Sequence, residues 1–453
     1  MLHEIHPLNE EEIRLIEDGA LGSILAQSIK KQGQITSPAA PFAAPAESYP
    51  AVDRKPYSKA LSCRDCVFFD IETTGLSADT AFLFLIGYIC YEENSWNRHQ
   101  LCIHLVQEEK ALLSSFFEAI KKAQCLIHFN GNTFDIPFVQ KRAAANGLFP
   151  PFDRLISIDL YQRFRALRKI LNLPKMNQSF LEKYSGWERE DHLSGKEVVS
   201  VFWRYAASNT FPTNEASLSA GNSEYSRRKI CPDTDAPASF GTEQLLLRHN
   251  RDDLLGMVQI LRFESYHMLF AGHIRIDKTE TIQVSDPDTC EYECMQLSFS
   301  TIQPLPHSLI LTKPIHESHA ASKITLSADG QTGKLTIPVF SGTLRYYLHD
   351  YKNYYYLPLE HQVIHKSIAS YVAKEYRIPA KPDTCFIERS GCFLPLPNVP
   401  SSSDAIAFLK ERPLFQENYE NKDFYIEYTN ELEEQEEMIT SYARILLTYI
   451  AQR

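Results

Sequence analysis

The spacing of hydrophobic and polar residues divides the chain into regions of different texture. In the central region, short apolar runs typical of buried strands alternate with stretches whose apolar residues recur every three to four positions, as in amphipathic helices. Predicted strands cover residues 67–71, 81–91, 100–106, 125–129 and 155–159, and predicted helices cover 108–122, 134–146, 160–171, 177–185, 194–206 and 242–263. This order predicts an α/β domain with a mixed five-stranded sheet flanked by helices.

The N-terminal region differs from this pattern. We expect residues 1–60 to contain a short amphipathic helical segment followed by a Pro- and Ala-rich linker at 37–50. The α/β domain then occupies residues 61–265. Its polar insertion at 207–240, rich in Ser, Asn and Thr, predicts a mobile surface loop.

The C-terminal region, residues 266–453, consists of short alternating runs separated by turn signals. The turn-forming stretch at 328–333 lies between two such runs and predicts a hairpin. Helical patterns follow at about 403–411 and 430–451. We expect a C-terminal α+β domain of unknown function.

Composition and charge narrow the classes of function. Hydrophobic residues make up 44% and charged residues 23% of the chain, as in ordinary globular proteins. A net charge of −11 excludes a generally polybasic nucleic-acid binder, so any nucleic-acid contact requires a local basic patch. The apolar run at 81–91 is shorter than the about 20 residues of a membrane span. No signal-peptide pattern is present, and we expect a cytoplasmic protein with no membrane partner.

The ten cysteines include two closely spaced pairs, Cys63/Cys66 and Cys290/Cys294. A four-thiolate zinc site would require these pairs to meet from two different domains. A redox role for Cys63 and Cys66 is also disfavoured, because this pair precedes a strand instead of opening a helix. We expect most cysteines to be small core residues in a reducing compartment.

Two acids in FFDIETTG are the first candidates for chemistry. Alternation along a strand places Asp70 and Glu72 on one face, while Phe69 and Ile71 point the other way into a core. Adjacent carboxylates repel and are costly unless a divalent cation neutralises them. Chance acids at an exposed strand end are the alternative, which the buried character of this strand disfavours.

Further acids stand at a helix start and on a late helix. Asp135 follows the fourth strand in HFNGNTFDIPF and is, taken alone, better explained as a residue that caps the helix start and interacts favourably with the helix dipole. His249 and Asp253 in LLLRHNRDDLLGM are four apart and share a helix face, although such pairs are commonly surface pairs. Asp252 competes with Asp253 for the same role. Gly256 on this face would allow a close approach of the helix to the sheet.

Together these motifs are more specific than any one of them. The order Asp-x-Glu, Asn-Gly-x-x-Phe-Asp and His-x3-Asp resembles the DEDD family of 3′–5′ exonucleases, which have the ribonuclease H-like fold. The similarity is closest to the YprB-type ribonuclease H-like predicted exonucleases, whose late helix likewise reads His-Asn-Arg-x-Asp, here from His249. The resemblance covers about residues 61–263. One departure is that a histidine occupies the last motif at the spacing of the family's tyrosine class.

The resemblance implies a metal-dependent 3′–5′ exonuclease that hydrolyses phosphodiester bonds of single-stranded DNA or RNA. Two Mg²⁺ or Mn²⁺ ions would activate water and stabilise the leaving oxygen, because all-oxygen ligation suits these ions better than zinc. The implied metal ligands are Asp70, Glu72, Asp135 and Asp253. His249 would orient or deprotonate the attacking water.

Candidate substrate contacts lie near these acids in the sequence. Thr73 ends the strand that carries Asp70 and Glu72, and the resemblance implies that Asn130 and Phe134 touch the terminal nucleotide. A basic helix face is formed by Arg165, Arg168 and Lys169. This face is explained equally well by phosphate binding and by ordinary solvation.

The sequence is also compatible with two functions other than an enzyme. They are a non-catalytic nucleic-acid-binding module and a protein-interaction module that retains the ribonuclease H-like fold; the presence of all four carboxylates favours the enzyme. In the C-terminal domain, the tyrosine-rich stretch at 344–367 predicts either a base-stacking surface or strands of that domain's own core. His361 and His365 would form a metal pair only if this stretch were helical.

Overall fold

The computed structural model describes residues 1–34, 61–210, 240–285, 291–316, 323–397, 412–429, 432 and 435–452. Two compact units emerge, one formed by Met1–Arg168 with Leu173–Glu264, the other by Lys169–Asn172 with Ser265–Arg453. The predicted linker at 37–50, most of the insertion at 207–240 and the predicted helix at 403–411 lie outside the described residues.

The first unit is built on a six-stranded sheet with the order β1-β4-β3-β2-β5-β6. Its strands are β1 (Leu2–Pro7), β2 (Cys66–Thr73), β3 (Leu83–Glu92), β4 (Ser95–Cys102), β5 (Cys125–His128) and β6 (Ile156–Asp159). In this order β1, β4, β3 and β2 pair in antiparallel fashion, whereas β5 is parallel to β2 and β6 is parallel to β5. β2 therefore lies inside the sheet, where its apolar side chains are buried.

Helices cover both faces of this sheet. They are α1 (Glu10–Glu17), α2 (Ala20–Gln34), α3 (Glu109–Ala119), α4 (Asp135–Ala145), α5 (Leu160–Phe164), α7 (Gln178–Tyr184), α8 (Gly195–Thr210) and α9 (Phe240–Ile260). Two further helices, α6 (Leu167–Ile170) and α10 (Glu264–Phe270), contain residues of both units. Tyr88 of β3 packs against Phe116 of α3, with ring centroids 5.7 Å apart. The preceding Gly87 faces Asn250 of α9, so α3 and α9 pack on opposite faces.

The N-terminal residues differ from the prediction. Instead of a separate helical segment, residues 1–34 contribute β1, α1 and α2 to the first unit, and β1 makes the sheet six-stranded rather than five-stranded. β1 pairs with β4, from Leu2 opposite Cys102 to Pro7 opposite Asn97. Its short, largely polar sequence becomes a strand through this distant pairing, which no local pattern reveals.

The helix predicted at 160–171 is also different in the structure. It is divided into α5 and α6, with Arg165 and Ala166 between them. The amide of Arg168 donates to the carbonyl oxygen of Arg165 at 3.3 Å, a three-residue step that is tighter than an α-helical one. The basic residues of this stretch therefore do not share one continuous helix face.

The second unit is rich in sheet. A five-stranded antiparallel sheet has the order β7-β8-β11-β10-β9, a small closed barrel has the order β12-β16-β18-β17, and a three-stranded sheet has the order β14-β13-β15. The strands are β7 (Ile274–Val284), β8 (Tyr292–Thr301), β9 (Leu309–Pro314), β10 (Lys323–Asp329), β11 (Thr332–Pro338), β12 (Phe340–Tyr347), β13 (Tyr354–Leu357), β14 (Gln362–His365), β15 (Ile378–Pro379), β16 (Phe386–Leu396), β17 (Phe415–Gln416) and β18 (Phe424–Glu427). The predicted hairpin is confirmed as β10 and β11. A helix, α11 (Glu436–Ala451), follows.

The tyrosine-rich stretch forms strands. Tyr347 is buried, and the ring of Tyr346 lies 6.1 Å from that of Phe415, so both belong to the packing of this unit. His361 lies in the turn before β14 and His365 ends that strand, so they are not one helical turn apart. None of the helices in the described ranges combines the length and apolar composition that crossing a membrane requires.

Candidate functional site

The end of β2 carries the first two acids. Asp70 and Glu72 are half-buried, while Phe69 and Ile71 are buried, as strand alternation predicts. The pairing of β2 with β3 shifts between Glu72 and Thr73. The Thr73 hydroxyl donates to the carbonyl oxygen of Gly75 at 2.9 Å, so this side chain shapes the turn after the strand.

Asp135 is the first residue of α4 and is buried beside β2. The backbone amides of Asp135 and Ile71 favour its charged carboxylate and so lower its pKa, against the larger effect of burial. The loop before α4 contains Asn130 at φ +62°, whose amide donates to Asp159 Oδ1 at 2.9 Å. Phe134 packs against Phe138. The loop and the helix start thus bring Asp135 close to the β2 acids.

Helix α9 completes the cluster. His249 Nε2 lies 3.6 Å from Glu72 Oε1 and 3.5 Å from Asp253 Oδ2, and ligand atoms of these three residues all lie within 4.8 Å of one another. One turn of helix therefore presents both His249 and Asp253 to β2. Asn250, between them, donates from Nδ2 to Asp70 Oδ2 at 3.0 Å.

The close approach of α9 depends on Gly87 of β3, which lies opposite Asp70. A Cβ atom on Gly87 would lie 2.0 Å from Asn250 Oδ1. Gln100 also fixes Asn250, because its Nε2 donates to the same oxygen at 3.0 Å. The sequence analysis did not select these residues, although a glycine inside an apolar strand is a signal of close backbone approach.

Asp191 orients His249 from the side away from Glu72. Its Oδ2 lies 2.5 Å from His249 Nδ1. Because a carboxylate accepts, we assign the proton to Nδ1, and in the neutral ring the lone pair of Nε2 then faces Glu72 and Asp253. Asp191 lies in the irregular segment between α7 and α8, where no periodic pattern could have selected it.

The structure distinguishes the two neighbouring aspartates of α9. Asp252 is fully buried, where it accepts a hydrogen bond from the Asp191 amide at 2.7 Å and pairs with Arg251. Asp253 is partly exposed and lies with His249. Asp252 therefore holds the loop that carries Asp191, and Asp253 is the acid that reaches the cluster.

Arg189 provides a positive charge beside the cluster. Its Nη2 donates to Asp253 Oδ1 at 2.6 Å and to Glu182 Oε1 at 2.7 Å. Glu182 is buried on α7, and a Cβ atom on Gly256 would lie 1.8 Å from its Oε1. Gly256 thus makes room for Glu182, not for the sheet as the sequence analysis expected, because this position faces α7.

Burial and mutual repulsion shift the pKa values of the acids. Burial, together with the charges of Asp253, Glu72 and Asp135, raises the pKa of Asp70 well above its usual range. Burial is also the main cause that raises the pKa of Glu72 to about 8 and that of Asp135 to about 7. Without a bound cation, the carboxyl groups of the cluster therefore retain protons near neutral pH, and pKa values perturbed in this way are typical of functional sites.

Burial acts in the opposite sense on His249. It lowers the pKa of the imidazole, but the negative charges of Glu72, Asp253 and Asp191 outweigh this effect, and the pKa lies above its ordinary value. The carboxylates on both sides of the ring therefore favour its protonated form.

The predicted basic contacts Arg165, Arg168 and Lys169 are all exposed. Arg168 donates to the carbonyl oxygens of Leu173 and Pro174, at 3.4 and 3.0 Å, so its guanidinium group stabilises the chain that follows α6.

Residues 67–216 match the family described as the RNase_H superfamily. The first unit accordingly has an RNase H-like fold. A stretch of 99 residues is 31% identical to "DNA polymerase 1" of Sulfurisphaera ohwakuensis and covers 19% of this chain and 11% of that protein.

Two solved structures show low overall similarity. The family B DNA polymerase of Pyrobaculum calidifontis matches with a TM-score of 0.32 and 11% identity, over 85% of this chain and 46% of that one. E. coli exonuclease I in complex with a dT13 oligonucleotide matches with a TM-score of 0.26 and 12% identity, over 58% and 54%. The chain thus spans about half the length of each.

Proposed function

We propose that this chain is a metal-dependent 3′–5′ exonuclease that hydrolyses phosphodiester bonds of single-stranded nucleic acid. The observation that carries the proposal is the convergence of Asp70, Glu72, Asp135 and Asp253, which come from the three elements β2, α4 and α9, within an RNase H-like unit. Burial, with the charges of neighbouring acids, raises the pKa values of Glu72 and Asp135, as is common where carboxyl groups converge at a functional site. Oxygen donors of this kind fit Mg²⁺ or Mn²⁺.

In this proposal the four carboxylates hold two ions, which when bound supply an activated water and stabilise charge on the leaving oxygen. His249 accepts the proton of the attacking water at Nε2, and Asp191 holds the ring in the required tautomer. Asn250 orients Asp70. Arg189 engages Asp253 Oδ1, which leaves Oδ2 directed to the His249 side.

The proposed substrate contacts follow from the chain segments around the acids. Thr73, Asn130 and Phe134 would contact the terminal nucleotide. The exposed Arg165 and Lys169, with Arg168, would hold phosphates farther along the strand. The described cysteines are free thiols, which supports a reducing, cytoplasmic setting.

The test is digestion of single-stranded DNA and RNA labelled at either end, with Mg²⁺ or Mn²⁺ and with EDTA. We expect shortening from the 3′ end that EDTA abolishes. Asp70→Asn and Asp135→Asn should each reduce activity to background, because each removes a ligand charge. Asp153→Asn, at an exposed aspartate of the same unit, is the matched control and should leave activity unchanged.

Activity that persists in EDTA, or in both ligand variants, would contradict the metal assignment. Tight binding of single strands by the wild-type chain without cleavage under any metal condition would favour the non-catalytic binding module instead.

A further inference from the structure

A second cluster of ligand-type side chains lies on the β3–β4 hairpin of the first unit. Cys90 and Glu92 are two apart on β3, and His99 of β4 lies opposite Tyr88. Alternate residues of a strand and directly opposed residues share a face, so all three project from one side of the hairpin. This is the side opposite Gly87 and the carboxylate cluster. The Cys90 Sγ atom, a Glu92 carboxylate oxygen and a His99 ring nitrogen lie within 4.8 Å of one another.

The imidazole of His99 is held rigidly. It is only 3% exposed and stacks on Tyr88, with centroids 4.6 Å apart and planes inclined by 2°. Its Nδ1 lies 3.1 Å from Nε2 of His3 on β1. When Nδ1 donates this hydrogen bond, the Nε2 atom of His99 carries a lone pair that points toward Cys90 and Glu92. Metal-binding histidines are commonly oriented in this way by a partner on the other nitrogen.

The Nε2 atom of His99 has an unsatisfied bonding capacity. Its contact is with Glu92 Oε1, which lies 2.7 Å away as an ion pair, and this buried nitrogen makes no hydrogen bond of regular geometry to any other of the described residues. Buried polar atoms are rarely left in this state, and those that are require an explanation. A cation between the nitrogen and the carboxylate would satisfy both groups.

We propose that Cys90, Glu92 and His99 bind one Zn²⁺ ion. Thiolate sulfur, imidazole nitrogen and carboxylate oxygen are the zinc ligands of proteins, with bonds of about 2.0–2.3 Å. The sulfur and nitrogen donors select zinc over Mg²⁺ or Mn²⁺. Glu92 is exposed, so its carboxylate can rotate toward the other two ligands, and a water molecule would complete the coordination. The thiol proton of Cys90 passes to water as the sulfur binds.

Such an ion would join three strands at one end of the sheet. Cys90 and Glu92 belong to β3, His99 belongs to β4, and His3 links the same imidazole to β1. The cluster projects from the face of the hairpin opposite the carboxylate cluster, so the proposed zinc ion is independent of the proposed nuclease activity.

The experiment uses the full chain, stripped of metal and titrated with Co²⁺ as a spectroscopic substitute for Zn²⁺. We expect a sulfur-to-cobalt charge-transfer band that Zn²⁺ abolishes by displacement. Cys90→Ser should lose the band. Cys102→Ser, at a buried thiol of the neighbouring strand, should keep it. The carboxylate cluster contains no sulfur and cannot produce this signal.

Glu92→Gln provides a variant that does not depend on refolding of the core, since this side chain is 43% exposed. It should weaken Co²⁺ binding by roughly tenfold or more. The matched control is Glu93→Gln, at the adjacent exposed residue. Absence of the band in the wild type, its persistence in Cys90→Ser, or equal Co²⁺ affinity of the two glutamine variants would overturn the proposal.

Discussion

His249 is the residue at which the proposed chemistry can be separated from metal binding. Asp191 holds its Nδ1 atom, and its Nε2 atom faces Glu72 and Asp253 at 3.6 and 3.5 Å. These distances exceed hydrogen-bond length, so the Nε2 atom is not hydrogen-bonded to either acid. In the proposed function this nitrogen would accept the proton of the attacking water, and the acids would hold the ions.

We therefore expect His249→Ala to lower kcat by about 10²–10⁴-fold, the usual contribution of a general base. Mg²⁺ or Mn²⁺ affinity, measured by calorimetry, should be nearly unchanged in this variant, whereas Asp253→Asn should weaken it. His6→Ala, at an exposed histidine of the same unit, should behave as wild type. Loss of metal binding in His249→Ala as severe as in Asp253→Asn would make the histidine a ligand instead.

Local periodicity predicts which acids share a face, but the order of the motifs, through its resemblance to the exonuclease family, was needed to join these residues and Asp135 into one candidate site. Asp70 and Glu72 share a strand face and His249 and Asp253 share a helix face, so regular geometry predicts both pairs. Asp191 belongs to no regular element, and its place is determined by the buried Asp252 that holds its amide. Contacts of this kind depend on tertiary packing and leave no pattern in the sequence.

At the scale of elements, two glycines determine how closely α9 approaches its neighbours. Gly87 of β3 makes room for Asn250 of α9, and Gly256 of α9 makes room for Glu182 of α7. Both contacts lead to the acid cluster, through Asp70 and through Arg189. The position of α9 over β2 thus depends on two glycines, because a side chain at either position would not fit.

Gly87→Ala should destabilise the protein by about 1–3 kcal/mol, because the added methyl group would lie 2.0 Å from Asn250 Oδ1 and 2.7 Å from Leu254 Cδ1. Urea unfolding measures this loss, and the displacement of Asn250 should also weaken metal binding. Gly241→Ala is the matched control within α9, since nothing lies within 4 Å of its Cβ position. Equal stability of the two variants would show that α9 does not require this approach.

Two elements differ from the sequence prediction because tertiary contacts override the local pattern. β1 is short and mixes His3, Glu4 and His6 with two apolar residues, so it carries no strand signal of its own. Pairing with β4 supplies the missing stabilisation. The predicted helix at 160–171 failed in the opposite way, because its apolar spacing is helical throughout while the chain turns between α5 and α6.

At the scale of the whole molecule, the buried acids of the first unit link stability to pH. The folded-state pKa values of Glu72 and Asp135 are raised to about 8 and about 7, so the folded chain binds more protons than the unfolded chain between roughly pH 4 and pH 8. The stability of the metal-free protein therefore decreases as pH rises through this window.

We expect the melting temperature of the metal-free protein to fall as pH rises from about 5.5 to about 8, and the gain on adding Mg²⁺ to be larger at the higher pH. Glu72→Gln is the matched comparison, because it removes one titrating acid and should flatten the pH dependence. A Mg²⁺-induced gain that is equal at both pH values, in wild type and variant alike, would contradict this linkage.

The edge position of β1 has a consequence for how the chain is made. The hairpin of β3 and β4 closes over the short turn between Glu92 and Ser95, whereas β1 and β4 join residues about 90 positions apart, which costs more chain entropy. On the ribosome, β1 emerges well before its partner exists. The hairpin can form as soon as it is synthesised, and β1 can only add afterwards to an edge that is already in place. A segment translated early is thus among the later ones to be incorporated.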